Sequence, residues 1–200
     1  MIDLSKDKFI VKDGIIDDKR LKAIEYTTIH NDDFPWFLAS YGTVFKPGIS
    51  IDAQPIRMEY PKMYEDIQFF HMLVGHAKIV SPYVNRIVGP IAEDLGIVKS
   101  YRVKLNLQLK SEKIIEGGYN TPHCDVEPEE KPHLKICIVH LNNSDGDTVL
   151  FDDDNNEIER IPFKKGRAVY MRPNIMHSGN HPKDHPFREV INFNFWDTKQ

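Results

Sequence analysis

Tyr101-Arg102-Val103-Lys104-Leu105-Asn106-Leu107-Gln108-Leu109-Lys110 is the stretch whose reading decides the fold. Apolar and polar residues alternate almost strictly, so Tyr101, Val103, Leu105, Leu107 and Leu109 share one face of a strand and Arg102, Lys104, Asn106, Gln108 and Lys110 the other. Before Gly96 the apolar spacing is helical; after it the spacing is that of strands to the end of the chain. The polar face of such a strand is either solvated or turned into a polar pocket, and the uncharged Asn106 and Gln108 suit a pocket.

Towards the C-terminus, Leu134 to Leu141 reads as a buried strand. Thr148 to Phe151 follows, entered through the turn Asp145-Gly146, and then Glu157 to Ile161, Arg167 to Met171 and Phe187 to Trp196. Short strands joined by turns, with no helix between them, predict an antiparallel sandwich or barrel. Towards the N-terminus, Phe9 to Ile16 predicts a strand broken at Asp13-Gly14. Asp17 or Asp18 then caps a helix over 19–29 whose inner stripe is Leu21, Ile24 and Thr28. Asn31 to Phe37 ends that helix, with Trp36 read as packing. Gly42, Pro47, Gly48, Pro55 and Pro61 make 41–62 loop and turn. From Met63 to Leu95 the spacing predicts two helices, one carrying Ile67, Phe70 and Val74, the other Val84, Ile87, Val88, Ile91 and Leu95, ending near Gly96. His71 and His76, five apart on the first, do not share a helical face and read as ordinary packing or surface residues. The whole is mainly β with N-terminal helices (α+β), one domain over 1–200 in which 1–98 supports a core at 99–197.

Composition narrows the function. With 200 residues, 40% hydrophobic and 28% charged, the chain is an ordinary globular protein with room for a core. It has no basic start followed by an apolar run, and no uninterrupted apolar stretch of the roughly 18 residues a bilayer needs, so a cytoplasmic protein without a membrane segment is expected. Cys124 and Cys137 are too few for a disulfide framework and read as reduced thiols. A net charge of −4 with scattered basic residues speaks against nucleic acid as a partner. Asp152, Asp154 and Asn156 alternate like calcium ligands but lack the central glycine and the closing glutamate, which leaves a solvated turn. No glycine-rich turn joins a strand to a helix, which excludes phosphate-loop and dinucleotide folds.

Pro122-His123-Cys124-Asp125 carries the chemistry. On an extended strand His123 and Asp125 leave the same face, so one imidazole and one carboxylate can grip one ion. A third ligand from a distant strand completes the two-histidine, one-carboxylate set used for non-haem Fe(II). His177, after the turn Arg172-Pro173-Asn174, is the candidate. Arg188 opens the last strand on the same face as Val190, Asn192 and Asn194; an arginine facing inward needs an anion, and its planar fork matches a carboxylate.

This order, His-x-Asp, distal histidine and final-strand arginine, resembles the Fe(II)/2-oxoglutarate-dependent oxygenases, particularly the prolyl-hydroxylase-like branch. Ile136-Cys137-Ile138-Val139-His140-Leu141-Asn142, Asp145-Gly146-Asp147-Thr148-Val149-Leu150-Phe151 and Lys164-Lys165-Gly166-Arg167-Ala168-Val169-Tyr170 resemble that branch's intervening segments, in the right order from Tyr101 to Trp196. One departure is His140, where the branch often has tyrosine. The resemblance implies a double-stranded β-helix (jelly-roll) core and Fe(II) on His123, Asp125 and His177. It implies 2-oxoglutarate anchored by Arg188 with His140 and Thr148, O2 as oxidant, and succinate and CO2 as products; ascorbate fits as a reductant. Asn106 and Asn192 would border the co-substrate. Tyr119 and Asn120 would meet a peptide or small-molecule substrate. Gly117-Gly118 and the loop Ser178 to Pro186, with His181 and His185, read as a mobile lid. The rivals are a cupin-like metal enzyme and a non-catalytic jelly-roll binding protein.

Overall fold

A computed structural model describes residues 3–39, 62–63, 67–125 and 133–196. The N-terminal half contributes β1 (Phe9–Lys12), α1 (Asp18–Thr28), β2 (Phe37–Ala39), β3 (Gln68–Gly75), β4 (Lys78–Ile79) and α2 (Val84–Leu95). Past Gly96 the described residues hold strands and no helix: β5 (Ser100–Leu109), β6 (Leu134–His140), β7 (Thr148–Phe151), β8 (Glu157–Ile161), β9 (Ala168–Met171), β10 (Met176–Gly179) and β11 (Phe187–Trp196). The larger sheet runs β1-β9-β6-β11-β5-β3-β2 with β4 beside β3, and the smaller runs β10-β7-β8. All these pairings are antiparallel, which makes the core a jelly roll.

Local signals set the helix ends. The Asp17 carboxylate accepts from the Lys19 N–H at 3.1 Å and starts α1, while Gly96 closes α2 in the left-handed region at φ 68°. Trp36 packs edge-on against Phe34 and donates its indole N–H to Thr28 O at 2.9 Å.

The first of the two helices expected between Met63 and Leu95 is instead the strand β3. Phe69, Phe70, Met72, Leu73 and Val74 form a short, nearly continuous apolar run whose period does not separate strand from helix. What decides is the neighbour: β5 offers a free edge, and β3 pairs with it from Gln68 to Val74 with an irregularity between Met72 and Val74. His71 is thereby buried on a strand, its ring nitrogens 2.7 Å from Pro35 O and 2.7 Å from Ser81 Oγ, a packing role as expected. Of the loop expected over 41–62, all but Lys62 lies outside the described residues.

Alternation gives the larger sheet two unlike faces. One carries Leu73, Val103, Leu105, Cys137, Val139, Ile191, Phe193 and Phe195 and is covered by Leu21 and Ile24 of α1 and Ile87, Val88 and Ile91 of α2. The other turns Ile136, Ile138 and Val190 towards Leu150 and Ile161 of the smaller sheet. On that inner side, β5 and β11 present polar residues and open a cleft.

Candidate active site

The ligand candidates are brought together by the backbone. The chain entering from Thr121 runs antiparallel to β10, and His123 and His177 exchange both backbone hydrogen bonds, each 2.9 Å. That reciprocal pair sets their ring centroids 4.5 Å apart. Asp125 lies on the same side, with Oδ1 3.8 Å from His123 Nε2. One ligand atom from each of His123, Asp125 and His177 falls within 4.8 Å of the others.

Each imidazole is oriented through its other nitrogen. Nδ1 of His123 donates to Thr121 O at 3.2 Å and Nδ1 of His177 to Ile175 O at 3.0 Å; a carbonyl only accepts, so Nε2 is left as the ligand atom. Among the described residues His177 Nε2 is buried without a hydrogen-bond partner, which costs about 1–3 kcal/mol when left unmet. A cation fits beside that nitrogen, and a two-nitrogen, one-carboxylate set is one that suits Fe(II). Charge states agree with ligation. Burial, reinforced by the neighbouring His177, pushes the His123 ring down to about 3, so it is neutral. Burial alone would raise the Asp125 carboxyl, but Arg102, the two imidazoles and Lys104 outweigh it and hold it well below the usual carboxylate range. Arg102 Nη1 lies 3.4 Å from Asp125 Oδ1, and Asn192 Nδ2 donates to Oδ2 at 3.4 Å.

A cleft joins this cluster to Arg188. The guanidinium is buried and pinned: Nε donates to Gly146 O at 2.9 Å, Nη1 to Gln108 Oε1 at 2.8 Å and Nη2 to Thr148 Oγ1 at 3.0 Å. These acceptors are neutral, so they orient the positive charge without cancelling it. Two glycines make the room: a Cβ at Gly179 would sit 2.8 Å from Arg188 Nη1, and one at Gly146 would sit 2.9 Å from Arg188 Cδ. His140 lies behind Thr148. Its Nδ1 accepts the Lys164 N–H at 3.2 Å, which places the ring proton on Nε2, 3.4 Å from Thr148 Oγ1. The ring stacks on Phe163 at 4.0 Å, and burial, with Arg188 and Arg167 nearby, keeps it well below the ordinary histidine value.

Asn106, Asn120, Thr148, Asn192 and Arg188 line the cleft with His123 and His177. Tyr119 does not: it is buried edge-on against Phe151 at 4.9 Å, with Val149 beside it, outside the lining. The lining also includes Lys104, Gln108 and Gln68, which lay outside the sequence-derived site set. Gln108 and Lys104 follow from the alternation of β5, whereas Gln68 was hidden by the helical reading of its segment. Nor is the stretch after β10 a lid. The Asp145 carboxylate accepts the backbone N–H groups of Lys183, Asp184 and His185 and contacts the His185 ring at 2.9 Å. His181 is buried with Nδ1 donating to Leu109 O at 2.8 Å, and Ser178 and Gly179 belong to β10. Gly118 is packed too, since a Cβ there would lie 2.5 Å from Ile115 Cγ1.

Neither a family model nor a curated protein sequence matches the chain. Solved structures do. A 2OG-Fe(II) oxygenase family oxidoreductase from Burkholderia pseudomallei aligns at TM-score 0.61 and 12% identity, over 96% of this chain and 87% of that one. A Trichoplax adhaerens prolyl hydroxylase in complex with a hypoxia inducible factor oxygen degradation domain peptide aligns at TM-score 0.61 and 12% identity, over 98% and 86%. A Pseudomonas putida prolyl-4-hydroxylase aligns at TM-score 0.58 and 11% identity, over 98% and 96%. The chain has the jelly-roll fold of the 2OG-Fe(II) oxygenases, prolyl hydroxylases among them. Among the described residues no helix is long and apolar enough to cross a membrane.

Proposed function

We propose that this protein is an Fe(II)- and 2-oxoglutarate-dependent dioxygenase. It hydroxylates an unactivated C–H of a peptidyl (prolyl included), amino-acid or other small-molecule substrate and releases succinate and CO2. The observation that carries the reading is one cleft with two complementary ends: a histidine–carboxylate triad whose His177 Nε2 lacks a partner, and a buried, oriented Arg188. Its peptide option draws support from the Trichoplax adhaerens neighbour, which binds a peptide.

His123, Asp125 and His177 hold the metal, and Asn192 and Arg102 hold Asp125. Arg188 takes the 5-carboxylate of 2-oxoglutarate. Thr148 Oγ1 faces the N–H groups of both Arg188 and His140, so its own hydroxyl proton is turned out to donate to that carboxylate. Asn106 borders the co-substrate, and Asn120, fixed by donating Nδ2–H to Gly179 O at 2.7 Å, lines the same cleft as a substrate contact. Iron and 2-oxoglutarate supply, with O2, the oxidising power that amino-acid side chains lack. The chain contributes position, a neutral His123 imidazole, an ionised Asp125 carboxylate and a partly enclosed site.

His123→Ala and Asp125→Ala should each abolish iron binding and succinate release together. Continued turnover of 2-oxoglutarate in either variant refutes the metal assignment.

A further inference from the structure

The cleft has a basic group that neither the metal nor the co-substrate explains. Lys104 and Arg188 are the two lysine or arginine side chains that line it, and no aspartate or glutamate among the described residues does. Arg188 is held by Gly146, Gln108 and Thr148. Among the described residues Lys104 has no hydrogen bond or ion pair, although its neighbour on the same strand face, Arg102, is engaged with Asp125. It lies at the metal end, opposite Asn192 in the β5–β11 register, and its charge reaches both His123 and Asp125. Gln108, which holds Arg188, is four residues along β5, roughly 13 Å away at strand rise, so the two cations stand at opposite ends of the cleft.

An unpaired ammonium half-withdrawn from water into a cleft is costly, and a site keeps one where an anion will meet it. Resting on the oxygenase reading above, we propose that the molecule oxidised carries a carboxylate and that Lys104 binds it, fixing the substrate beside the metal. Burial, with Arg102 adding to it, pushes the Lys104 ammonium down to about 8, which leaves it mostly charged at neutral pH. A single ammonium suits one carboxylate oxygen.

The test uses the full chain loaded with Fe(II) and 2-oxoglutarate without oxygen, so that calorimetry reads binding and not turnover. The probes are amino acids, N-acetyl amino acids and N-acetyl dipeptides, each as the free acid and as its primary amide. At least one acid should bind about tenfold or more tighter than its amide, the factor a charge-assisted hydrogen bond supports. Lys104→Met should erase that preference and Lys104→Arg should keep it; Lys104→Gln gives the same readout if the methionine variant misfolds. Equal binding of acids and amides across the panel, or a preference that survives Lys104→Met, overturns the proposal. So does a variant that weakens 2-oxoglutarate binding while leaving the preference intact. Failure of the wild-type chain to develop the iron–2-oxoglutarate absorption band defeats the oxygenase reading instead.

Discussion

The two faces of the larger sheet are built from the same strands and do opposite jobs. On β11, Ile191, Phe193 and Phe195 point to the helices and are buried among aliphatic and aromatic neighbours. Arg188 and Asn192, on the alternate positions, point into the cleft and meet polar atoms. One face gains stability from apolar burial; the other carries buried polar groups whose partners are incomplete, such as His177 Nε2 and Asn192 Oδ1. Period-two alternation lets one strand serve both without compromise, because a side chain on one face cannot reach the other.

If that division is real, substitutions on the two faces should separate in kind. Phe193→Ala on the helix face should cost about 3–5 kcal/mol of unfolding free energy, by denaturant titration, while the protein that remains folded keeps its full iron stoichiometry. A parallel loss of iron from the folded fraction would break the comparison. On the cleft face, Arg188→Ala should raise the 2-oxoglutarate requirement by roughly 100-fold with iron retained. Gly179→Ala, whose methyl would collide with the Arg188 guanidinium, should raise it by about tenfold, and an unchanged requirement in both would remove Arg188 from co-substrate binding.

Glu189 sharpens the comparison because it is the exception on the helix face. Its carboxylate is buried with the Thr28 hydroxyl nearby, and burial raises the group from 4.5 to about 8. The folded state therefore keeps a proton that the unfolded chain releases above its ordinary value. This contribution is fully present below about 4.5 and is lost as pH rises towards 8. His123 and His140 act the other way, since their lowered values make the native state lose stability as pH falls below the ordinary histidine range. Comparing Glu189→Gln with wild type isolates the first effect: the variant should gain roughly 2–4 kcal/mol relative to wild type between pH 5 and pH 8. Parallel pH profiles would show that Glu189 is ionised in the fold.

How much of this was legible in the sequence follows the same division. The strands β5, β6, β7, β8, β9 and β11 were readable because each faces two environments or is buried throughout, and the pattern records it. β3 was not, since a short apolar run takes its conformation from the β5 edge beside it. β10 is four residues long and exists through its pairing with β7, which no local signal announces. At the site, His123 and Asp125 were legible from their spacing on one strand face. The backbone exchange that joins His123 to His177 was not. Nor was the anchoring of the 183–185 backbone by Asp145, because a carboxylate that caps a distant segment leaves no trace in either stretch. Lys104 sat in plain view on the polar face of β5. Its lack of a partner became visible only when Arg102 and Asn192 proved to be occupied by Asp125.

The most direct test of the oxygenase reading is an anaerobic titration of the metal-free chain with Fe(II) and then 2-oxoglutarate, following the visible metal-to-ligand absorption. The account predicts a band that appears only when both are present, saturates at one iron per chain and is absent in His177→Ala. A wild-type chain that binds neither, or a band that persists undiminished without His177, would contradict it.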